Sequence, residues 1–398
     1  MHRPFLLGAS ALAFALSAAG AQRPARAPRH GADSLTFTPQ LGAPALPADG
    51  GRPAISAVGE LVADLSPDGS TQPDSARFGV RTVELGLQST LERRLRATIF
   101  VSANDRQRVT IDEATLGTDA LPWGVRLRLG RALMPVGKEN TEHRHDLHTV
   151  EYPYVVQRFL QADGLRGTGI AASKAFAPFG FQQELTVSWV DRFGDAIDSL
   201  TTREPASRYV DGMGYAARLR NYWTLARDAD FELSGSAVTG RRPTSTGFTD
   251  PHGVDAVNAR QTVVGADATL RWRSADPARP RSFLLQGELM RQLNDRSWLV
   301  NPQAAAAPVI RDYDGGYVYA RWQLSERWYA GGRFDSVQDP TALGARLNAG
   351  SAVFEWFPVP SAKVLASYER RQVDGRRGED RILFAGAFAL GPHRPHRF

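Results

Sequence analysis

The sequence contains no cysteine. That absence excludes disulfide frameworks, thiolate metal sites, cysteine nucleophiles and lipoprotein acylation together. Lysine is nearly missing as well: Lys138, Lys174 and Lys363 are the only ones, so arginine supplies the basic excess behind the formal net charge of +6. A chain rich in Arg, Ala, Gly and Pro but poor in Lys has the composition a GC-rich genome produces. The basic balance alone therefore says nothing about an acidic partner. Beyond the N-terminal segment, no apolar run reaches the roughly 20 residues a membrane-spanning helix needs, so any passage through a bilayer must use strands. Histidine is scarce and concentrated between His143 and His148 and in the tail. There is no G-x-S-x-G elbow and no evident Ser-His pair on a strand, which leaves no hydrolase constellation. The segment "GTGIAASKA" (167–175) contains glycines but lies on a strand pattern and lacks the spacing of a phosphate-cradling loop. The expectation is a protein that is not an enzyme and has no cofactor.

What is present begins with an export signal. A basic start, Met1 to Pro4, leads into the apolar run "FLLGASALAFALSAAG" and then into Ala19-Gly20-Ala21. This order of n-region, h-region and A-x-A site predicts a signal peptide over residues 1–21, cleaved after Ala21. The alternative, an uncleaved anchor, fits less well because the run is short and is closed by small residues. An exported chain is not expected to meet nucleic acid. Residues 22–54 are rich in Pro, Ala, Gly and Arg without periodicity, the pattern of a flexible periplasmic leader, and are too short for the plug domain of a TonB-dependent transporter.

From Ile55 onward the dominant pattern is period-2 alternation over segments of about ten residues, the length a tilted strand needs to cross a bilayer. In "VRTVELGLQSTL", Val83, Leu85 and Leu87 oppose Thr82, Glu84, Gly86 and Gln88. In "VRLRLGRAL", Val125, Leu127 and Leu129 oppose Arg126, Arg128 and Gly130. In "GYAARLRNYW", Tyr215, Ala217, Leu219 and Trp223 oppose Arg218 and Arg220. One face suits hydrocarbon and the other water.

Strands are predicted near 55–65, 81–91, 95–103, 109–118, 125–133, 167–176, 181–190, 213–224, 229–240, 261–273, 282–292, 316–325, 327–337, 346–357, 362–373 and 380–390. The fold class is all-β, a transmembrane antiparallel β-barrel over residues 55–398 with about sixteen strands; one miscounted hairpin gives fourteen or eighteen. The long connections (66–80, 134–166, 191–212, 241–260 and 293–315) all follow odd-numbered strands, and those after even-numbered strands are short. Long extracellular loops alternating with tight periplasmic turns produce this sorting, whereas a soluble sandwich or propeller has no reason for it. Trp123, Trp189, Trp223, Trp322, Trp328 and Tyr329 fall near predicted strand ends, where interfacial rings belong.

The segment from Leu129 to Phe176 carries a more specific pattern in Gly130, Arg131, Gly137, Asn140, His143, His145, Leu147, Pro153, Phe159, Gly164, Leu165 and Gly169. These positions resemble a segment of outer-membrane proteins related to the phosphate-selective porin O and P family. The resemblance implies a passive diffusion channel in the bacterial outer membrane for small hydrophilic solutes. It also implies that the connection at about 134–166, the third extracellular loop, folds inward and narrows the pore. Sixteen-stranded porins are often homotrimers, so that assembly is implied too, along with outer-membrane lipid, lipopolysaccharide and the barrel-assembly machinery as partners. Phosphate specificity is not implied, because the loops lack lysine clusters. The alternative from another class is a non-conducting outer-membrane barrel that binds a partner or serves a structural role.

Candidate lining residues in the constriction are Lys138, Glu139, Arg144, Arg158 and Arg166. Inward wall arginines are Arg126, Arg128, Arg218, Arg220, Arg271, Arg273 and Arg333, which would favour anionic solutes unless Glu84, Glu113, Glu184, Glu288 and Glu355 neutralise them. Within "EHRHDLH", His143, His145 and His148 offer imidazoles close enough to chelate a metal such as zinc, but hydrogen-bonded loop residues are the favoured reading. Phe398 fits an aromatic C-terminus read by barrel-assembly machinery. Pro392 and Pro395 intervene, so either the last strand ends near Leu390 with a tail or the final Phe is coincidental.

Overall fold

A computed structural model of the protein describes residues 53–72, 75–91, 95–106, 109–118, 121–193, 213–241, 260–276, 280–295, 311–340 and 344–391. The predicted signal peptide, most of the predicted leader and the predicted role of Phe398 lie outside the described residues. Sixteen strands run in order: β1 (Ala54–Asp64), β2 (Phe78–Leu91), β3 (Leu95–Ala103), β4 (Val109–Thr118), β5 (Val125–Leu133), β6 (Arg166–Phe176), β7 (Gln182–Phe193) and β8 (Gly214–Ala226). They continue with β9 (Ala229–Arg241), β10 (Arg260–Arg273), β11 (Ser282–Asp295), β12 (Arg311–Ser325), β13 (Trp328–Asp339), β14 (Ala345–Val359), β15 (Ala362–Val373) and β16 (Glu379–Leu390). Each pairs antiparallel with its sequence neighbours, and β1 closes on β16 from Ala57↔Leu390 to Asp64↔Leu383, so the sheet is a closed barrel with no edge.

Alternation sets the two faces. Leu85, Leu129, Leu289, Phe334 and Phe384 project outward and are exposed, while Glu84, Arg218, Glu232, Glu288 and Arg333 project inward and are buried. An exposed apolar band around a polar, charged interior is the inverse of a soluble barrel, and it is stable where hydrocarbon surrounds the wall. At the end of the barrel with the short connections, outward rings stack across neighbouring strands. Phe179, Phe181, Trp223 and Phe231 form one run, Trp272, Trp322 and Phe283 a second, and Trp328, Phe354 and Trp356 a third. Rings with an apolar body and a polar edge suit the level where hydrocarbon meets water.

The predicted strands match the observed ones closely, with differences at the long-loop end. β12 begins at Arg311 rather than near 316, β11 extends to Asp295, and β7 extends to Phe193. The polar segment "RDYD" hides the continuation because it has no alternation, yet Arg311 still pairs with Asp295 and Asp314 with Arg291 across the ladder. One aromatic expectation also shifts. Trp189 lies within the lengthened β7 rather than near its end. Trp123 keeps its expected place just before β5, in the β4–β5 turn with φ 65°, and is exposed.

Candidate functional site

The connection from β5 to β6 folds into the lumen. Its neck is closed by Asn140, whose side-chain amide donates to the carbonyl oxygens of Met134 (3.0 Å) and Leu165 (3.3 Å) and whose Oδ1 accepts from the Leu165 N–H (2.6 Å). The Met134 N–H donates to the Leu165 carbonyl in parallel. Asn140 is fully buried, and one side chain does here what a strand pair does elsewhere. Beyond the neck the segment carries its own apolar centre. Val136, Leu147, Tyr152, Val155, Val156, Phe159 and Leu160 are buried against Val190, Val263, Met290, Tyr317, Val337 and Leu347 of the wall. Two 3₁₀ turns, Glu139–Thr141 and Arg144–Asp146, are followed by one short α-helix, α1 (Tyr154–Phe159), with Pro153 at its N-cap.

Polar ties fasten the loop all around the barrel. On the β9–β11 side, the Gly137 N–H donates to Ser236 Oγ (3.0 Å), the Lys138 N–H to Glu288 (3.1 Å) and Lys138 Nζ to Glu232 (3.1 Å). Gln286 donates to Glu139. Gly137 has φ +65°, and a Cβ there would lie 2.0 Å from the Glu288 carboxylate, so only glycine permits this approach. On the β13–β16 side, Lys363 Nζ donates to the carbonyl oxygens of His145 and Leu147, both at 2.7 Å. The Tyr154 N–H donates to Asp335 (2.9 Å), and its hydroxyl donates to Glu369 (2.6 Å) while accepting from Arg381 (3.0 Å). On the β2 side, Arg81 donates to the Val150 carbonyl (2.7 Å) and pairs with Glu151 (3.0 Å). His143 stands between two strands, with Nδ1 3.2 Å from Glu84 Oε2 and Nε2 3.8 Å from Glu113 Oε2.

Several loop groups are shifted in their titration. Burial penalises the Glu151 carboxylate, but Arg81, Arg144 and Arg381 outweigh it and hold the carboxyl down at about 2. Burial likewise opposes charge on His143, but Glu113 and Glu84 outweigh it and raise the imidazole to about 10. Burial dominates at Glu139 and raises it to about 7, despite its bond from Gln286. The His148 imidazole is pushed down by burial and by Arg321.

The candidate residues thus have definite places. Lys138 is buried at the contact between loop and wall. Arg144 pairs with Glu151 (3.3 Å) and Asp163, Arg158 with Asp339 (3.1 Å), and Arg166, which is the first residue of β6, with Asp112 (3.4 Å). Arg218 donates from Nη2 to both carboxylate oxygens of Asp267 (3.0 and 3.1 Å), Arg220 pairs with Glu184 (3.0 Å) and Glu232 (3.2 Å), and Arg271 pairs with Asp230 (2.8 Å) and Glu232 (3.3 Å). Arg333 pairs with Asp335 (2.7 Å) and donates to Thr149 and the Glu151 carbonyl. Arg273 ends β10 at the short-turn end. His143 and His145 face each other at 5.5 Å between ring centroids, whereas His148 is separated from them, stacking on Tyr319 with Glu355 3.6 Å away.

The sequence reading missed two features. Glu232 is the hub that Lys138, Arg218, Arg220 and Arg271 share. Arg96 belongs to a basic patch on β3–β5: it pairs across the ladder with Gly117, which in turn pairs with Arg128, and Arg126 follows on the same face. Arg128 lies 3.9 Å from Glu113, and Arg126 keeps a buried guanidinium nitrogen with no hydrogen-bond partner. Inward alternation of "LRATIF" was enough to place Arg96.

Residues 60–349 match the family described as phosphate-selective porin O and P. The chain belongs to that family. No functionally curated protein is similar in sequence at a significant level. Among solved structures, this porin is similar in fold to OmpT of Vibrio cholerae in its trimer form, with 11% identity and a TM-score of 0.54 over 86% of this chain and 100% of that one. The outer membrane channel DcaP of Acinetobacter baumannii has 10% identity and a TM-score of 0.54, covering 85% of this chain and 97% of its own. The anion-selective porin from Comamonas acidovorans has 9% identity and a TM-score of 0.51, covering 85% and 100%. The porin is accordingly an outer-membrane β-barrel channel protein. The residues that carried the family resemblance now have physical roles: Asn140, Gly164 and Leu165 build the neck, Gly137 permits the approach to Glu288, and Phe159 fills the loop's apolar centre.

Proposed function

We propose that the porin passes small hydrophilic solutes by passive diffusion along the part of the lumen the loop leaves open, and that it prefers anions. The observation that carries the preference is the in-register patch of Arg96, Arg126 and Arg128, with the unpartnered nitrogen of Arg126. Guanidinium groups on a wall, in a narrow space of reduced dielectric, lower the barrier for phosphate- and carboxylate-bearing solutes without covalent chemistry. The patch lies at the short-turn end, which is the periplasmic end in this reading, with the signal peptide 1–21 removed and residues 22–54 leading into β1. Lipopolysaccharide, outer-membrane lipid and barrel-assembly machinery are its envelope partners, and a homotrimer is its assembly, by analogy with OmpT. Selectivity for phosphate itself does not follow from the family's description.

Reversal potential across a planar bilayer in a KCl gradient tests this reading. Chloride preference is expected, and its reduction in the Arg126→Gln, Arg128→Gln double variant locates the patch; cation preference overturns the proposal. A second reading, a non-conducting binding barrel, is favoured by the fully buried Val155, Val156 and Phe159, which pack the inserted loop against the wall. Absence of single-channel steps from refolded protein selects that reading.

A further inference from the structure

We propose that Glu84, His143 and His145 form a zinc-binding site that pins the inserted loop to β2. One donor atom from each of the three lies within 4.8 Å of the others. Ligands at the Zn–N and Zn–O lengths of about 2.0–2.2 Å in tetrahedral geometry stand roughly 3.3 Å apart. His143 Nδ1 and Glu84 Oε2 form a hydrogen-bonded pair at 3.2 Å, a separation that an ion bound by both atoms also requires.

The surroundings match a metal site beyond the donors. A ligating histidine usually directs its other ring nitrogen at a carboxylate, which fixes the ring and raises its basicity. His143 Nε2 faces Glu113 at 3.8 Å, and His145 Nε2 faces Asp146 at 3.8 Å. The backbone brings the two rings together through an extended residue, His143 (φ −73°, ψ 150°), followed by a 3₁₀ turn over Arg144–Asp146. Lys363 holds the His145 carbonyl, and the Phe100 ring meets the His143 ring edge-on at 5.4 Å, so the donors are positioned without an ion. Glu84 and His145 are buried, which limits competition from bulk water.

Donor chemistry selects the metal. Two imidazoles and one carboxylate suit zinc, whereas calcium and magnesium require oxygen sets. Coordination through His143 Nδ1 releases to solvent the proton that nitrogen shares with Glu84, and the dication takes its place between Glu84 and Glu113. Three protein ligands leave a fourth position for water or for a donor group of a passing solute. The two imidazoles belong to the loop and the carboxylate to the wall, so occupancy joins the β5–β6 connection to β2 at a point remote from the Glu232 hub.

The test uses the untagged full chain in detergent, stripped with chelator and equilibrated with zinc chloride. Metal content by elemental analysis and affinity by calorimetry are expected to show one tight site. His145→Ala weakens it at least a hundredfold, and Glu113→Gln, which removes only an outer carboxylate, weakens it roughly ten- to a hundredfold. His148→Gln binds as the unmodified chain does, and so does a variant lacking His393 and His396. Equal affinity in His145→Ala overturns the proposal, as does failure of the unmodified chain to bind. Should His145→Ala not fold, judged by heat-modifiable gel mobility, X-ray absorption at the zinc edge of the unmodified protein decides instead. Two imidazoles and an oxygen ligand support the site, and an all-oxygen shell overturns it.

Discussion

On the β7–β10 side of the lumen, Lys138 of the loop and Arg218, Arg220 and Arg271 of the wall are matched by Glu184, Asp230, Glu232 and Asp267 at hydrogen-bonding distance. On the β3–β5 side, Arg128 reaches Glu113 only at 3.9 Å and Arg126 retains an unsatisfied buried nitrogen. The residue type is the same, and the facing register makes the difference. β9 presents Asp230 and Glu232 to its neighbours, whereas β4 presents Gly117 between Arg96 and Arg128, and β6 presents Ser173 to Arg126. Where the facing strand places a carboxylate within about 3 Å, an inward arginine is built into the wall; at Arg126 the facing residue is Ser173, and one guanidinium nitrogen has no hydrogen-bond partner.

The comparison can be broken most severely at its hub. Replacing Glu232 with Ala leaves four cations without their shared acceptor, and removing one partner from a buried pair costs about 3–5 kcal/mol. The expected outcome is a lower urea midpoint in detergent, together with stronger chloride preference as the far wall becomes like the near one. A Gly137→Ala change attacks the contact between loop and wall instead. Its φ of +65° and its approach to Glu288 predict a cost of about 1–3 kcal/mol and larger single-channel conductance as the loop detaches.

Glu139 gives a pH-dependent version of the same question. Its carboxyl is raised from 4.5 to about 7 in the folded protein. The stability it contributes is therefore fully present below about 4.5 and is lost as pH rises through about 7. The melting temperature of Glu139→Gln relative to the unmodified chain should rise between pH 5 and pH 8, and a flat difference would show that Glu139 is not buried in solution. The smallest effect on stability is expected on the other side. Arg126→Gln should change it by no more than about 0.5 kcal/mol, because no hydrogen bond to the unsatisfied nitrogen is lost, yet reversal potential should move toward zero.

The strands were legible because one face must meet hydrocarbon and the other water, and the sequence writes that demand residue by residue. The inward loop was legible only through resemblance: nothing in "MPVGKENTEHRHDLH" announces its destination. Its ties were not legible at all. Lys138 to Glu232 and Tyr154 to Glu369 join residues distant in sequence, and which strand faces which loop residue depends on closing the barrel. Alternation failed for "RDYD" at the start of β12, where the ladder continues above the apolar band and polarity no longer reports the face.

The neck at Asn140 bears on the order in which the molecule is put together. Every partner in it comes from residues 134–165, so it can close as soon as β5 and β6 pair, and closing it shortens the chain that remains to be ordered. The ties to β2 and β4 use strands that precede the loop, whereas those of Lys138, Tyr154 and the His145–Leu147 carbonyls need β9 to β16, which follow in the chain. Contacts near in sequence form ahead of distant ones. The local neck thus lets the loop reach its shape before the later strands arrive, like a mandrel set in place ahead of the winding.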